Sequence, residues 1–427
     1  MSTRMTWADA AKPLRERNFA WYFASRFVNT LGNMMASIAL TFAVLDITDS
    51  AAALGQVLAA HTIPMIVLLL WGGVISDRFP REIVIQISNV ASAITQGLIA
   101  FLVITGSAEL WMLIALSVAH GAVSAISMPA MASVLPQLVA RAQLQPANAL
   151  MSLTRNGLTV LGPTLGALLV VTVGAGWALA IDAATWLIAA LLLIPVKIPR
   201  ADKSEGHKST VAELREGWSF FIGTTWLWAV VLGFGFLNMI HNGALLVLGP
   251  VVAEDTIGRQ CWGYVLSAEA LGLLAMAVVL LRVPLKRPLF WGMIAVAFAS
   301  VPMVVLGVDP HLLALVAAAF VAGAGLEVFS MGWNLAMQEN IDERMLSRAY
   351  SYDALGSFVA MPIGQLAWGP LGAAFGNSRV LVISGVAYAA ICLLVLTSRS
   401  VRDLPRRAAD PVLSETSSHI GSTHDHS

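Results

Sequence analysis

Six ionisable residues interrupt otherwise apolar stretches of the sequence: Arg26, Arg155, Asp182, Glu269, Glu327 and Asp353. A charged side chain is costly in apolar surroundings, so such residues are candidates for binding or for proton transfer. Because loss of water disfavours the charged form of a carboxylate, buried acids are suited to reversible protonation. The arginines are suited to pairing with those acids.

The composition indicates that these stretches cross a membrane. Of the 427 residues, 58% are hydrophobic and 12% are charged, with a mean hydropathy of +0.77. Soluble domains carry about 25% charged residues. The formal net charge is zero, which implies no acidic or basic partner. Cys261 and Cys392 lie in separate apolar segments, so no disulfide framework or metal spacing is expected.

Twelve segments are apolar and long enough to span a bilayer. They cover approximately 19–45, 52–76, 83–105, 110–134, 147–173, 177–196, 219–252, 261–281, 288–308, 311–334, 348–375 and 379–398. Of the 25 Lys and Arg residues, only Arg259 and Arg379 fall in loops opposite the termini, and Arg26 and Arg155 lie within spans. The positive-inside rule then places both termini in the cytoplasm, in a bacterial plasma membrane.

The hydrophilic stretch 197–217 divides the spans into two sets of six. The predicted organisation is a cytoplasmic segment (1–18), two six-helix bundles (19–196 and 218–398) joined by a cytoplasmic linker (197–217), and a disordered cytoplasmic tail (399–427). Ser152, Gly157 and Pro163 repeat at Ser351, Gly356 and Pro362, as expected of a parallel repeat. The tail histidines, His419, His424 and His426, lack rigid neighbouring ligands, so no metal site is predicted.

Two motifs carry a family resemblance. The turn GGVISDRFPRE contains Gly73, Asp77, Arg78 and Arg81. It resembles the loop signature of the major facilitator superfamily, G-x-L-x-D-R-x-G-R-[RK], with Pro80 and Glu82 as departures. In that family the turn acts as an inner latch between the two halves. The resemblance therefore implies an inner gate. Asp353 lies one or two turns into span 11 from the inside, so it is expected to be a latch partner of Arg78 or Arg81, with proton carriage as the alternative.

The fifth span reads GLTVLGPTLGA, with Gly157, Gly162, Pro163 and Gly166. It resembles the superfamily's antiporter signature, with Ala167 replacing the last glycine; close helix packing is the alternative interpretation. About residues 15–400 resemble the branch that holds enterobactin exporters and macrolide-efflux proteins. The arginine usual in span 4 of that family is Ser117 here, so coupling is not assigned to that position.

The resemblance implies an all-α membrane protein with twelve transmembrane helices in two pseudo-symmetric six-helix bundles. In this family spans 5 and 8 are adjacent, so Glu269 is expected to pair with Arg155, either statically or with exchange of partners. Span 10 lines the central cavity, so Glu327 either carries a proton or is tied to Arg26. These four residues are the predicted proton-coupling residues.

Polar and aromatic residues of spans 1, 7 and 10 are the predicted lining of the substrate cavity: Asn29, Asn33, Asn238, His241, Asn242, Phe329 and Trp333. For Phe329 and Trp333, simple packing is an equal alternative. His61 and His120 are predicted to pack in hydrogen-bonded sites. Asp182 is predicted to lie near the outer end of span 6 with a structural role, as a cap or in an ion pair.

The sequence lacks the motifs of the common enzyme and pump classes. There is no G-x-x-x-x-G-K-[ST] loop, H-E-x-x-H or G-x-S-x-G, and no basic aromatic-rich module. No catalytic residue, cofactor, metal, ATP or nucleic-acid partner is predicted, and the protein is not expected to be an enzyme. The expected partners are protons, a small-molecule substrate and the lipid bilayer, with a monomeric chain.

Three functions compete at this level. The first is a proton-driven antiporter that exports an amphipathic small molecule, such as a drug, siderophore or secondary metabolite. The second is an uptake permease of the same fold, for which a more polar or basic cavity is expected. The third is a transport-inactive receptor or scaffold, which would show no solute flux.

Overall fold

The computed structural model describes residues 12–132, 134–140, 143–197, 218–280, 283, 285–341 and 343–404. The predictions for the segment before residue 12, for linker residues 198–217 and for the histidine tail from residue 405 lie outside these residues. The described chain is helical and contains no strand.

The described chain contains twelve membrane-spanning helices, α1 to α12, which confirms the predicted number. The unbroken ones are α1 (Arg17–Thr48), α2 (Ala51–Arg78), α3 (Arg81–Ile104), α4 (Leu110–Ala132), α5 (Leu144–Val173), α6 (Ala175–Leu193), α8 (Arg259–Leu280), α10 (Leu312–Asn340) and α12 (Asn377–Thr397). The composite ones are α7 (Thr225–His241, Asn242–Leu248 and Gly249–Thr256), α9 (Pro288–Val296, Ala297–Ala299 and Ser300–Val308) and α11 (Glu343–Phe358 and Met361–Phe375).

Prolines explain the three composite helices. A proline removes one backbone donor and clashes with the carbonyl four residues earlier, so the preceding turn must change. Pro250 follows a π-helical turn in α7, Pro302 follows a 3₁₀ turn in α9, and Pro362 follows a break at residues 359–360 in α11. The predicted span 219–252 is corrected at its start, because residue 224 interrupts the helix before Thr225.

The helix contacts repeat between α1–α6 and α7–α12. In the first half α1 packs on α5 and α6, α2 on α4, and α3 on α4 and α6. Each contact recurs six helices later: α7 with α11 and α12, α8 with α10, and α9 with α10 and α12. This correspondence is the geometry of a parallel repeat.

The two halves meet through α2 with α11 and through α5 with α8. We call the side with both ends of the described chain the terminal face, and the other side the opposite face. The close approaches between halves lie towards the opposite face. A Cβ added to Gly55 would meet the carbonyl of Gln365, and Thr164 and Ser267 share a hydrogen bond of 2.7 Å.

Candidate functional site

A cavity of about 260 Å³, the central cavity, lies between the two halves. Helices α1 to α4 line it from the first half, and α7 and α8 line it from the second. Asn33, His61, Gln96 and His120 supply polar groups, and Trp262 supplies an aromatic wall. Asn33 therefore lies in the cavity wall where the sequence predicts it. A largely apolar wall with a few polar groups is typical of small-molecule sites.

Asp182 of α6 is fully buried, at 0% exposure, behind this wall. Its Oδ2 accepts a hydrogen bond of 2.9 Å from Gln96 Nε2, and its Oδ1 accepts one of 3.4 Å from Thr185 Oγ1. Gly32 allows this approach, because a Cβ there would lie 2.7 Å from Asp182 Oδ1. Within the described residues no Lys or Arg pairs with Asp182. Neutral donors hold this carboxyl, and Gln96 links it to the central cavity.

This placement corrects the prediction that Asp182 is a shallow cap or ion-pair partner. Asp182 lies about 10 Å along the axis from the first residue of α6, and no side chain caps that helix start. The sequence does hold a signal for the site in the neighbouring helix α3. Polar residues recur there at three- and four-residue spacing, and all are buried: Ser88, Ser92, Thr95 and Gln96.

Two histidines pack against each other beside Gln96. The ring centroids of His61 and His120 are 5.4 Å apart, and His120 also meets the edge of Trp186 at 5.7 Å. Thr95 Oγ1 and His120 Nδ1 share a hydrogen bond of 3.2 Å. The predicted packing is therefore present, and both rings also line the central cavity.

The two predicted coupling acids do not form the expected ion pairs. Neither Glu269 nor Glu327 makes a hydrogen bond or ion pair to the part of the chain that the structure describes. Glu269 is half-buried on α8. Glu327 is half-buried on α10. The Glu269–Arg155 and Glu327–Arg26 pairs are thus corrected, although α5 and α8 do pack as expected.

The two predicted arginines line a different cavity. It has a volume of about 360 Å³ and lies between α1, α4 and α5, within the first half. Arg26 and Arg155 both face it. Arg155 is directed to this space rather than to Glu269, which is the physical reason for the missing pair. We call this space the arginine cavity.

The polar residues predicted on α7 join helices of the second half. Asn238 Nδ2 donates to the carbonyl of Ser357 at 3.1 Å, and Gln365 Nε2 donates to Asn242 Oδ1 at 3.3 Å. Both bonds connect α7 to α11. Asn238, His241 and Asn242 are therefore not among the residues that line the central cavity in this conformation.

Phe329 and Trp333 are buried in an aromatic stack inside the second half. Phe329 lies 4.0 Å from Phe234 between ring centroids, and 6.2 Å from Trp333. Trp333 Nε1 donates to Asp353 Oδ2 at 3.0 Å. Their exposures of 6% and 7% agree with packing and correct the predicted position on the cavity wall.

Comparison with known families identifies the scaffold around these cavities. The sequence profile of the Major Facilitator Superfamily matches residues 22–364. The chain belongs to the major facilitator superfamily.

Similar members of the superfamily cover most of the chain at low identity. The MFS-type transporter YvqJ of Bacillus subtilis is 23% identical over 90% of this chain and 93% of its own length. The multidrug efflux pump Tap of Mycobacterium tuberculosis is 23% identical over 87% and 91%. The enterobactin exporter EntS of Shigella boydii is 26% identical over 61% and 60%.

Solved structures of the superfamily share the fold. The nucleoside transporter NupG superposes with a TM-score of 0.71 at 13% identity, covering 89% of this chain and 98% of its own. A bacterial homologue of the lysosomal transporter Spinster, inward-facing and occupied, gives 0.70 at 13% identity over 93% and 99%. At these identities the similarity establishes the architecture alone.

The superfamily's helix-5 signature makes close helix contacts in this chain. Gly162 and Gly166 face α1, where an added Cβ on Gly166 would lie 2.8 Å from a backbone oxygen. The Pro163 carbonyl lies against Gly263 of α8, 2.9 Å from a Cβ built there. Gly157 has open space within 4 Å. The packing interpretation of this motif therefore has direct support.

The superfamily's latch turn joins α2 to α3 at the terminal face. The side chains of Gly73, Asp77 and Arg78 are not among those described, so their pairing with Asp353 stays a prediction. The Asp353 carboxylate accepts hydrogen bonds from Trp333 and from Ser357 Oγ, the latter at 3.3 Å. The predicted partner of Arg81 across the halves is likewise untested.

An ion cluster joins the two halves at the opposite face. Arg259, the first residue of α8, pairs with Asp46 of α1 and with Glu254 of α7, and its Nε–Glu254 Oε1 hydrogen bond is 2.8 Å long. The guanidinium also lies 4.9 Å from the ring centroid of Phe42 on α1. Asp46 and Phe42 belong to one half and Arg259 to the other. The sequence places Arg259 in a loop but does not reveal this connection.

Proposed function

We propose that this chain is a proton-coupled antiporter that exports an amphipathic small molecule by alternating access. The observation that carries the proposal is the central cavity with Asp182 behind it: a mixed polar and apolar chamber between two halves, beside a carboxyl that has no cation partner. Efflux proteins among the similar sequences support the direction of transport.

The arrangement of contacts corresponds to one end state of the cycle. The halves are joined near the opposite face by Arg259 and by the α2–α11 and α5–α8 contacts. With the termini in the cytoplasm, as the Lys and Arg distribution predicts, this state is closed to the outside. A substrate then enters from the cytoplasm or the inner leaflet, and rocking of the halves releases it outside.

Protonation supplies the driving force in this scheme. The candidate carriers are Asp182, Glu269 and Glu327, because each carboxyl lies in a span and pairs with no cation of the described chain. Adding a proton removes the cost of burying the charge, so it shifts the balance between the two end states. Asp182 has the most direct link to substrate, since Gln96 contacts both its carboxyl and the central cavity.

Transport into inside-out membrane vesicles tests the proposal. A proton gradient, acid inside, is imposed, and uptake of a panel of lipophilic dyes and antibiotics is followed. Wild type is compared with Asp182→Asn, Glu269→Gln and Glu327→Gln. Glu109→Gln is the matched control, because Glu109 is an exposed carboxylate in the loop before α4.

We expect gradient-dependent uptake that at least one span variant abolishes at unchanged protein level, while the Glu109 variant retains it. Uptake only into right-side-out vesicles would instead establish an importer. If uptake is the same with and without the proton gradient in every variant, proton coupling is refuted, and the assignment as a transporter stays in place.

A further inference from the structure

The described residues that line the arginine cavity supply two guanidinium groups and no carboxylate. Its polar lining consists of Tyr22, Arg26, Thr30, Asn148, Ser152, Thr154 and Arg155, and the other lining residues are apolar. Arg26 lies nine residues into α1 and Arg155 eleven residues into α5, so both are roughly 15 Å from the helix start at the terminal face. Arg26 is half-buried and Arg155 is exposed towards this space, and a cation within a span is costly without a counter-charge.

The hydrogen bonds of Arg26 leave most of its donors unused. Its Nη1 contacts the Oδ1 of Asn29 at 3.1 Å and the Sδ of Met131 at 2.7 Å. Both acceptors are neutral, and a thioether sulfur is a weak one. Arg155 forms no side-chain hydrogen bond or ion pair within the described chain. A guanidinium has five donors arranged to grip an oxyanion, so the site lacks its natural partner.

A second observation at the same place also indicates a missing acceptor. Asn29 is buried, at 4% exposure, and its Nδ2 has no hydrogen-bond partner among the described residues. The Arg26 contact fixes Oδ1 as the acceptor, so Nδ2 is an unsatisfied donor beside the guanidinium. An unsatisfied buried donor is uncommon in folded proteins. Arg26 and Arg155 face the arginine cavity, and the Asn29 amide lies next to Arg26 on α1.

The wall also contains apolar, adaptable side chains. Phe23, Phe27, Met128, Met131 and Met151 line the cavity. Aromatic rings and flexible thioethers pack against apolar groups of varied shape. The volume of about 360 Å³ falls within the range of small-ligand sites.

We propose that the arginine cavity binds the anionic group of an apolar molecule: a carboxylate, sulfonate or phosphate carried on an aromatic or aliphatic body. Such an anion is supplied either by the exported solute or by a lipid headgroup. The inference rests on the proposed function only where it assigns the anion to the solute.

Binding of a matched pair of probes to the purified full chain tests this inference. Radiolabelled 1-naphthoate is the anion, and 1-naphthamide is its neutral counterpart of similar shape. Both are measured in a neutral maltoside detergent without a proton gradient. Arg26→Gln and Arg155→Gln remove the proposed contacts. Arg26→Lys keeps the positive charge but loses the paired N–H donors of the guanidinium. Arg17→Gln is the control, because it removes an exposed cation of α1 that does not line the cavity.

Wild type is expected to bind naphthoate at least tenfold more tightly than naphthamide. Each Gln variant should lose about tenfold in naphthoate affinity, as expected for a charge-assisted hydrogen bond, while Arg17→Gln changes nothing. Arg26→Lys should fall between wild type and Arg26→Gln. Melting temperature of each variant, measured alongside, separates lost binding from lost folding.

Short-chain phosphatidylglycerol and phosphatidylcholine serve as competitors to distinguish the two sources. Displacement by phosphatidylglycerol alone assigns the site to an anionic headgroup, and no displacement by either assigns it to the solute. Equal affinity for the two probes, undetectable naphthoate binding at millimolar concentration, or a preference that survives both Gln substitutions would overturn the inference. Failure of vesicle transport would not affect this binding result, so the two proposals fail separately.

Discussion

Replacement of Arg259 by Gln is expected to open the opposite face. Within the described residues, two contacts of Arg259 join the halves: the ion pair with Asp46 and the cation–π contact with Phe42. The Asp46 side chain is 44% exposed and that of Arg259 is 24% exposed, so solvent screens the pair to about 0.2–1 kcal/mol. The cation–π contact adds about 0.5–1 kcal/mol at a site of this exposure.

The sum is about 0.7–2 kcal/mol in favour of the closed opposite face, which corresponds to a population change of roughly 3- to 30-fold. Glu254 lies in the same half as Arg259, so its contact survives opening and is left out of this sum. The prediction is therefore a roughly 3- to 30-fold increase in the open population of the Arg259→Gln variant.

Cysteine labelling measures this population. Thr41→Cys, in the central cavity, reports opening towards the outside, in a background with Cys261→Ser and Cys392→Ala. A membrane-impermeant maleimide is added to intact cells, and the labelling rate is proportional to the open fraction. Thr30→Cys, in the arginine cavity, should show the reverse change in inside-out vesicles.

Arg379→Gln is the control, because Arg379 is an exposed cation near the opposite face, at the start of α12. Its labelling rate should equal that of wild type. If Arg259→Gln labels Thr41→Cys no faster than Arg379→Gln does, the ion cluster does not hold this face closed and the reasoning is refuted.

Two further predictions concern packing in the first half. Gly166→Ala should destabilise the protein by about 1–3 kcal/mol through overpacking against α1. Gly157→Ala is the control, because a Cβ there meets open space and should be neutral or slightly stabilising. Thermal unfolding in detergent compares the two variants, and equal melting temperatures would contradict the packing role of Gly166. Gln96→Leu should lower stability by about 1–3 kcal/mol because it leaves the buried Asp182 carboxyl without its donor. Gln86→Leu in the same helix is the control, since Gln86 Oε1 has no partner in the described chain. An equal loss of stability in both variants would exclude a specific contribution of the Gln96–Asp182 hydrogen bond.

Local signals in the sequence predicted the scaffold well. Twelve apolar segments are visible because each must be about 20 residues long to cross a bilayer, and their even number returns the chain to the side where it began. The family signatures at Asp77 and Pro163 predicted the superfamily, which the sequence profile confirms. Pro302 and Pro362 lie where α9 and α11 depart from regular helix, because proline acts on its own turn.

The burial of the charged residues within the spans, and the partners of those residues, depended on the tertiary structure. Asp182 is fully buried because α3 supplies Gln96 and α1 supplies a glycine at the point of contact. Arg155 faces Arg26 rather than Glu269 because α1, α4 and α5 leave a space between them. In each case the decisive partner lies on another helix, far away in the sequence.

The physical reason is that a bilayer makes lipid-facing and protein-facing surfaces equally apolar. Leu313 is 77% exposed and Leu248 is fully buried, yet hydropathy treats the two residues alike. The sequence by itself determined which segments span the membrane and which charges require a partner. Only the packing of the twelve helices decided which partners those charges have and which of them remain unpaired.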